Sequence, residues 1–397
     1  MATVKVSPVI GTRGAPPRVA RVGTSVSLNT ILKNQLAMLQ EQGFEIVCVC
    51  DDDEWAAPLR EAGYEIWPLG MGRRPGPLSL LVWTARLTIA LRRRPVDVVH
   101  TVNAFHGIGG RLAARLARVP AVVQTVHNWY FLEPPTARRA RVFAALERFA
   151  GRLSDRVLFI NRDDFRIAAE RRLVAPGKRV YIGNGIDVPA LQAALAEHDR
   201  ATARHELGIS ADRQVVAMVA RLESPKDHPT LLRAFARVAD ELPTAHLLIA
   251  GHGLDTDAVL TLAAELGLRG RMTSLGYRRD VARILAASDV ALLVSHHEGF
   301  GRVLVEAMVA GLPVVGSDVV GIRDVIRPGE TGLLMPPRDP DALAAALRSL
   351  LTDDELAKRL ATAGHAYALE HFDERLPARR VGDVYRALLG SKDPAPR

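Results

Sequence analysis

Three runs of apolar residues end on side chains that could do chemistry together. His127 follows Ala121–Val126, Arg221 follows Gln214–Ala220, and Glu298 follows Val290–Ser295. In open parallel sheets ligands bind beyond the carboxyl ends of the strands, so groups at three strand ends can converge on one site. The segment Ser295-His-His-Glu-Gly-Phe-Gly-Arg-Val-Leu-Val-Glu-Ala-Met308 is the most informative. Gly299 and Gly301 permit a tight turn from strand into helix. The turn leaves free backbone N–H groups at a helix N-terminus, which suits a phosphate. Glu306, about two turns inside that helix, can accept from the hydroxyls of a ribose. Glu298 lies before the turn, near anything held on the phosphate. Alone, such a segment is more often an ordinary turn with two solvated glutamates. Arg221-Leu-Glu-Ser-Pro-Lys226 adds two cations on another strand-following loop. An arginine can clamp a diphosphate bidentately and a lysine supplies a second point charge, stabilising a diphosphate as it leaves.

Competing chemistries find less support. Asp51-Asp-Asp53 contains the Asp-x-Asp pattern of a metal-bound transferase, but it also reads as a helix N-cap ahead of Glu54 and Trp55. His296 and His297 are adjacent on leaving a strand and so point apart, and no Cys/His/Asp cluster marks a metal site. Gly251-His-Gly253 lacks the third glycine of a dinucleotide fingerprint, and no Walker-type Gly-Lys-Ser/Thr occurs.

These groups need a scaffold. Strand-like runs in the first half are Val4–Ile10, Phe44–Cys50, Val96–His100, Ala121–Val126 and Arg156–Ile160. Between them lie amphipathic segments such as Leu28–Gln42, Leu78–Arg93 and Arg138–Leu153. Such alternation predicts right-handed crossovers and a doubly wound parallel sheet. After turn chemistry at Gly183-Asn-Gly-Ile-Asp187 a second series begins: Gln214–Ala220, His246–Ala250, Arg271–Leu275, Val290–Ser295 and Pro313–Gly316. The expected architecture is α/β, with two Rossmann-like domains over 1–187 and 188–371 facing across a cleft, and helices over 372–390 packed back on the body.

Composition fits this scaffold. The chain has 397 residues, too many for one ordinary core, with 48% hydrophobic and 24% charged residues. No stretch of ~18 uncharged apolar residues occurs, and the amino-terminal residues lack the pattern of a secretory leader, so a cytoplasmic location is expected. Cys48 and Cys50, two apart in a strand, read as small buried apolar residues. The net charge of +8 is uneven: residues 1–187 carry 27 Lys/Arg against 16 Asp/Glu, the remainder 25 against 28. A basic half could meet phosphorylated substrates or an anionic membrane. No groove-reading motif or aromatic–basic interleaving accompanies it, which argues against nucleic acid. Leu78–Arg94, flanked by Arg73-Arg74 and Arg92-Arg93-Arg94, reads either as a membrane-surface helix or as a helix covering a sheet.

The Glu–seven residues–Glu pattern, the Arg–four residues–Lys loop, Asn184-Gly-Ile-Asp187 and Gly311-Leu-Pro-Val-Val resemble glycosyltransferase family 4. The likeness is tight from Asn184 to about Pro337. It is looser in the first half, where His100-Thr101, Gly110–Arg118 and Val126-His127-Asn128 resemble members that build surface polysaccharides and lipid-linked glycans. The resemblance implies a GT-B fold and metal-independent transfer with retention, the nucleotide-sugar (by resemblance UDP-linked) being a co-substrate and no cofactor being needed. It implies that Arg221 and Lys226 hold the diphosphate, that Glu306 binds ribose, and that Glu298 with the Gly299–Phe300–Gly301 backbone contacts the sugar. His127 would lie at the reaction centre and Tyr277 and Arg278 near the base. Asn184, Val303 and Leu304 complete the donor set. One departure concerns the loop after the first strand. Many members carry Gly-Gly-x-Glu there, whereas this chain reads Gly11-Thr-Arg-Gly-Ala-Pro-Pro-Arg18 and then Gly23-Thr-Ser25. Gly23 is the residue expected to approach the phosphates. The acceptor would be a glycan, a glycolipid or a small aglycone, with membrane contact at the periphery. A sugar-nucleotide 2-epimerase or a non-catalytic nucleotide-sugar-binding protein are the readings of another class.

Overall fold

Strand–helix alternation does build two parallel sheets. The computed structural model describes residues 15–71, 76–102, 104–129 and 138–390; the run Val4–Ile10 lies outside them. Two units result, Met1–Gly183 with Arg375–Arg397, and Asn184–Glu374. The chain thus leaves the first unit after Gly183, and its last helix, Arg375–Gly390, belongs to that unit.

Among the described residues the first sheet has seven strands: β1 (Arg18–Val22), β2 (Glu45–Cys50), β3 (Glu65–Pro68), β4 (Val98–Val102), β5 (Ala121–Val126), β6 (Arg156–Phe159) and β7 (Arg179–Tyr181). Their order is β3-β2-β1-β4-β5-β6-β7, all parallel. Helices α1 (Lys33–Glu41), α2 (Ala57–Glu61), α3 (Pro77–Arg93), α4 (Ala104–Leu116), α5 (Arg138–Leu153) and α6 (Arg162–Glu170) follow the strands in turn. Period-2 alternation divides each strand between two apolar layers. Val19, Cys48, Cys50 and Val98 pack with Leu36 of α1 and with Val381 and Leu388 of the last helix. Ala20, Val22, Val49 and Val99 pack beneath Trp83 and Leu87 of α3 and Ala113 of α4. Both cysteines are buried, and burial pushes each thiol up to about 12, so they act as apolar filler.

The interior strand β1 runs through a stretch that pattern reading leaves as loop. Two arginines in five residues hide it, because an arginine in a strand is ordinarily counted as exposed. Arg21 is instead fully buried. Its guanidinium donates to Tyr385 Oη at 3.0 Å and Gln35 Oε1 at 2.9 Å and lies 2.7 Å from His100 Nδ1. Neutral partners meet its two terminal nitrogens, while Nε is buried without a hydrogen-bond partner among the described residues. Helix α4 is pinned to α5 by a second buried cation: Arg111 Nη2 lies 2.9 Å from Glu147 Oε2, both side chains almost wholly buried. Removing one partner of such a pair strands the other, so Glu147→Ala should lose about 3–5 kcal/mol of stability. Urea unfolding that gives less than about 1 kcal/mol would show the pair to be dispensable.

The second sheet has six strands: β8 (Gln214–Val219), β9 (Ala245–Ala250), β10 (Met272–Ser274), β11 (Val290–Leu293), β12 (Val314–Ser317) and β13 (Leu333–Met335). Their order is β10-β9-β8-β11-β12-β13, again all parallel. In both sheets the order reverses beside the first strand of the unit. The switch points lie between β1 and β4 and between β8 and β11, where an open sheet leaves a crevice for ligand.

Candidate active site

In the second unit the loops after β8 and β11 flank the switch point, and they carry the predicted cations and carboxylates. The loops are stitched together, with His296 N donating to Pro225 O at 2.9 Å. Lys226 Nζ bonds Glu298 Oε2, and both side chains are mostly buried. Burial pushes the Glu298 carboxyl up. The Lys226 ammonium, its hydrogen bond and the N–H groups of Gly299 and Phe300 outweigh burial and hold it below the usual carboxylate range. Glu298 Oε1 accepts from Gly299 N at 2.9 Å.

Gly301 adopts φ 71° and ψ 47°, a left-handed conformation that glycine takes without steric cost, and from it the helix Arg302–Val309 starts. Glu306, half-buried in that helix, makes no side-chain hydrogen bond or ion pair among the described residues. Burial raises its carboxyl, and Arg302 offsets this in part. A half-buried acceptor without a donor is suited to a ligand hydroxyl.

The remaining donor-side residues divide. Arg221 turns its guanidinium to Glu223 Oε2 at 2.7 Å and is 71% exposed. Arg278 donates to Asp280 Oδ1 at 2.8 Å, while Tyr277 beside it is 69% exposed. Asn184 Oδ1 accepts from Gly185 N at 2.9 Å. Leu304 is fully buried and Phe300 nearly so, its ring edge-on to Phe372 at 5.6 Å. Leu304 N is also bonded to the Gly301 carbonyl. Both side chains are core residues that hold the turn, so any ligand contact they make is through backbone; Val303 is half-buried.

Sequence reasoning sets Gly251 aside with the incomplete dinucleotide fingerprint and passes over Gly321. A Cβ on Gly251 would fall 1.8 Å from Ala220 O, so Gly251-His-Gly253 lets the loop after β9 press on the chain leading to Arg221. A Cβ on Gly321 would fall 2.6 Å from Gly299 C and 2.8 Å from Glu298 O. Gly251 stands immediately after β9, whereas Gly321 lies beyond the end of β12 at Ser317; for both, only the spatial neighbour explains the glycine.

In the first unit His127 follows β5 directly, and Gly23 follows β1, its N–H bonded to Val49 O at 3.1 Å. Burial, with Arg21 adding to it, lowers His127 to about 4, so the ring is neutral at pH 7 and has one nitrogen able to donate and one able to accept. Beneath it the buried His100 lies 2.7 Å from Thr125 Oγ1 through Nε2. Asp53 accepts from Ser25 Oγ at 2.9 Å and from Trp55 N at 3.1 Å within a turn; it is not the expected helix N-cap, since the helix that follows begins after Ala56 without a side-chain cap.

Comparison with known proteins agrees with this arrangement. Residues 199–366 match the family described as glycosyl transferases group 1, and residues 28–185 match the glycosyl transferase 4-like domain. The chain is 33% identical over 306 residues to the UDP-Gal:alpha-D-GlcNAc-diphosphoundecaprenol alpha-1,3-galactosyltransferase of Escherichia coli, covering 76% of this chain and 78% of that one. It is 32% identical over 316 residues to the N-acetyl-alpha-D-glucosaminyl L-malate synthase of Bacillus anthracis, covering 78% and 79%. Its fold matches that of Anabaena Alr3699/HepE in complex with UDP and glucose with a TM-score of 0.75 at 21% identity, covering 92% and 98%. Strand order, paired sheets and these likenesses agree: the chain belongs to the GT-B glycosyltransferases of family 4.

Proposed function

We propose that the chain is a retaining transferase that moves a hexose or N-acetylhexosamine from a UDP-sugar to a hydroxyl of a lipid-linked or surface glycan, without a metal. The observation that carries this reading is the Lys226–Glu298 pair at the second switch point, set beside the helix N-terminus at Gly301. A diphosphate arriving there competes with Glu298 for the ammonium and gains from the helix dipole. Arg221 would swing from Glu223 to the same phosphates, and the two cations would balance the charge that grows as the nucleotide leaves. Glu306 would take the ribose hydroxyls. His127, neutral, would bind the transferred sugar while the acceptor hydroxyl attacks the face the diphosphate vacates.

UDP-linked chemistry appears in the name of the Escherichia coli relative, whose acceptor is a diphosphoundecaprenol glycan. The basic first unit suits such a phosphate-bearing acceptor. A small soluble acceptor is the second reading, favoured by the similarity to the Bacillus anthracis synthase, whose name carries L-malate.

Thermal shift with a panel of nucleotides tests the donor. UDP at about 100 times its Kd should stabilise the chain by about 2.7 kcal/mol. A chain stabilised only by GDP or ADP would reject the uridine assignment. EDTA should leave turnover unchanged, and activity lost to EDTA and restored by Mn²⁺ would reject the metal-free mechanism.

A further inference from the structure

The two units differ sharply in charge. Residues 1–183 with 375–397 carry 33 Lys/Arg against 17 Asp/Glu, a net +16, whereas 184–374 carry 19 against 27, a net −8. Part of the excess is gathered on one layer. Helices α3, α4 and α5 cover the same face of the first sheet, with α4 packed between the other two. In their combined sequence the single acidic residue is Glu147, and it is buried against Arg111. The outer face of this layer therefore presents arginines, such as Arg86, Arg93, Arg138, Arg141 and Arg152, and no carboxylate of its own.

The same outer face is apolar between its arginines. On α3, Trp83, Leu87 and Leu91 cover the sheet, while Leu78 is 74% exposed, Leu81 64%, and Val82 and Ile89 about half. These four recur at helical spacing, so they form one stripe opposite the buried one. On α5, Val142, Leu146 and Phe149 form a second exposed stripe, and Phe105 of α4 is exposed between. Nine of the fifteen large exposed apolar side chains among the described residues belong to these three helices. A face this rich in both leucine and arginine, with no exposed acid of its own, has the chemistry of an interfacial surface: the apolar stripes enter the acyl boundary and the arginines meet anionic headgroups.

We propose that the outer face of α3, α4 and α5 docks on an anionic lipid surface. A helix that follows a parallel strand begins at the strand's carboxyl end, so the amino ends of α3 and α4, carrying Leu78 and Phe105, rise from the sheet edge where Gly23 and His127 also emerge. Docking by this face brings that edge to the headgroups. This last step rests on the lipid-linked acceptor assigned above; the docking itself does not.

Flotation of the full chain with phosphatidylcholine vesicles, with and without phosphatidylglycerol, tests the surface. The wild type should float only with phosphatidylglycerol present and return to the aqueous fraction at high salt. The double variant Leu78→Glu/Leu81→Glu should bind at least about tenfold more weakly, and so should Arg138→Glu/Arg141→Glu, while both keep wild-type thermal stabilisation by UDP. Wild type that stays in the aqueous fraction, or a leucine variant that floats as well as wild type, overturns the proposal. A wild-type dimer that the leucine variant splits, with no vesicle binding, assigns the face to a second copy instead. Intact, salt-sensitive flotation with no UDP stabilisation sinks the donor reading and leaves the docking surface standing.

Discussion

Lys226→Ala should lower turnover by ~10²-fold or more, the scale of removing one preorganised group that meets charge developing in the transition state. The effect should fall on kcat as well as kcat/KM, because the charge on a leaving diphosphate is greater in the transition state than in the bound donor. Lys226→Arg keeps the charge but not the compact ammonium, and should recover part of the loss. The structure adds a second consequence. Glu298 is held below the ordinary carboxylate range chiefly by Lys226 against the upward push of burial. A carboxyl lowered by folding contributes stability above its unfolded pKa and loses it as pH falls through the folded value. The alanine variant should therefore be less stable than wild type at neutral pH, and the two stability curves should converge on acidification through the carboxylate range. Unchanged turnover would reject the catalytic role. A loss of turnover without any pH-dependent difference in stability would show that the Lys226–Glu298 pair is not formed in solution.

The fold was legible wherever an apolar run stood between turn residues. Ala121–Val126 and Arg138–Leu153 coincide with a strand and a helix to the residue, because burial on both faces of a parallel sheet leaves an unbroken apolar signature. Arg18–Val22 was illegible for the converse reason: Arg21 is stabilised by His100, Tyr385 and Gln35, partners 14 to 364 residues away. The edge strands Glu65–Pro68 and Arg179–Tyr181 are too short and too polar to stand out. At the site, residue types at strand ends pointed to the loops after β8 and β11, strands that the topology places side by side. What the sequence could not supply is pairing. Nothing in the spacing says that Lys226 binds Glu298 while Arg221 turns to Glu223, or that Arg278 is held by Asp280. Those choices depend on distances within an angstrom or two, set by packing between segments far apart in the chain.

The same dependence makes Gly321→Ala the more severe test of the site's architecture. Gly321 sits at φ 81°, before the short helix Ile322–Val325, and a Cβ there would face the carbonyls of Glu298 and Gly299. An alanine there meets two penalties. A positive φ off glycine costs about 1–3 kcal/mol. The added methyl would also lie 2.6 Å from Gly299 C and 2.7 Å from Gly299 O, backbone atoms that cannot rotate away. The loop must shift, carrying with it the Glu298 carboxylate and the entry to the helix at Gly301. Displacement of about 1 Å at a reacting centre costs on the order of 10²-fold in rate, so activity should fall by about that factor and UDP stabilisation with it. Gly329→Ala separates the two penalties, because Gly329 has φ 77° but open space where its methyl would go. The control should lose stability and keep turnover. If Gly321→Ala behaves like Gly329→Ala in both unfolding and turnover, the contact with Gly299 does not set the donor loop. The Glu298–Gly301 segment would then be held by Lys226 and the helix alone.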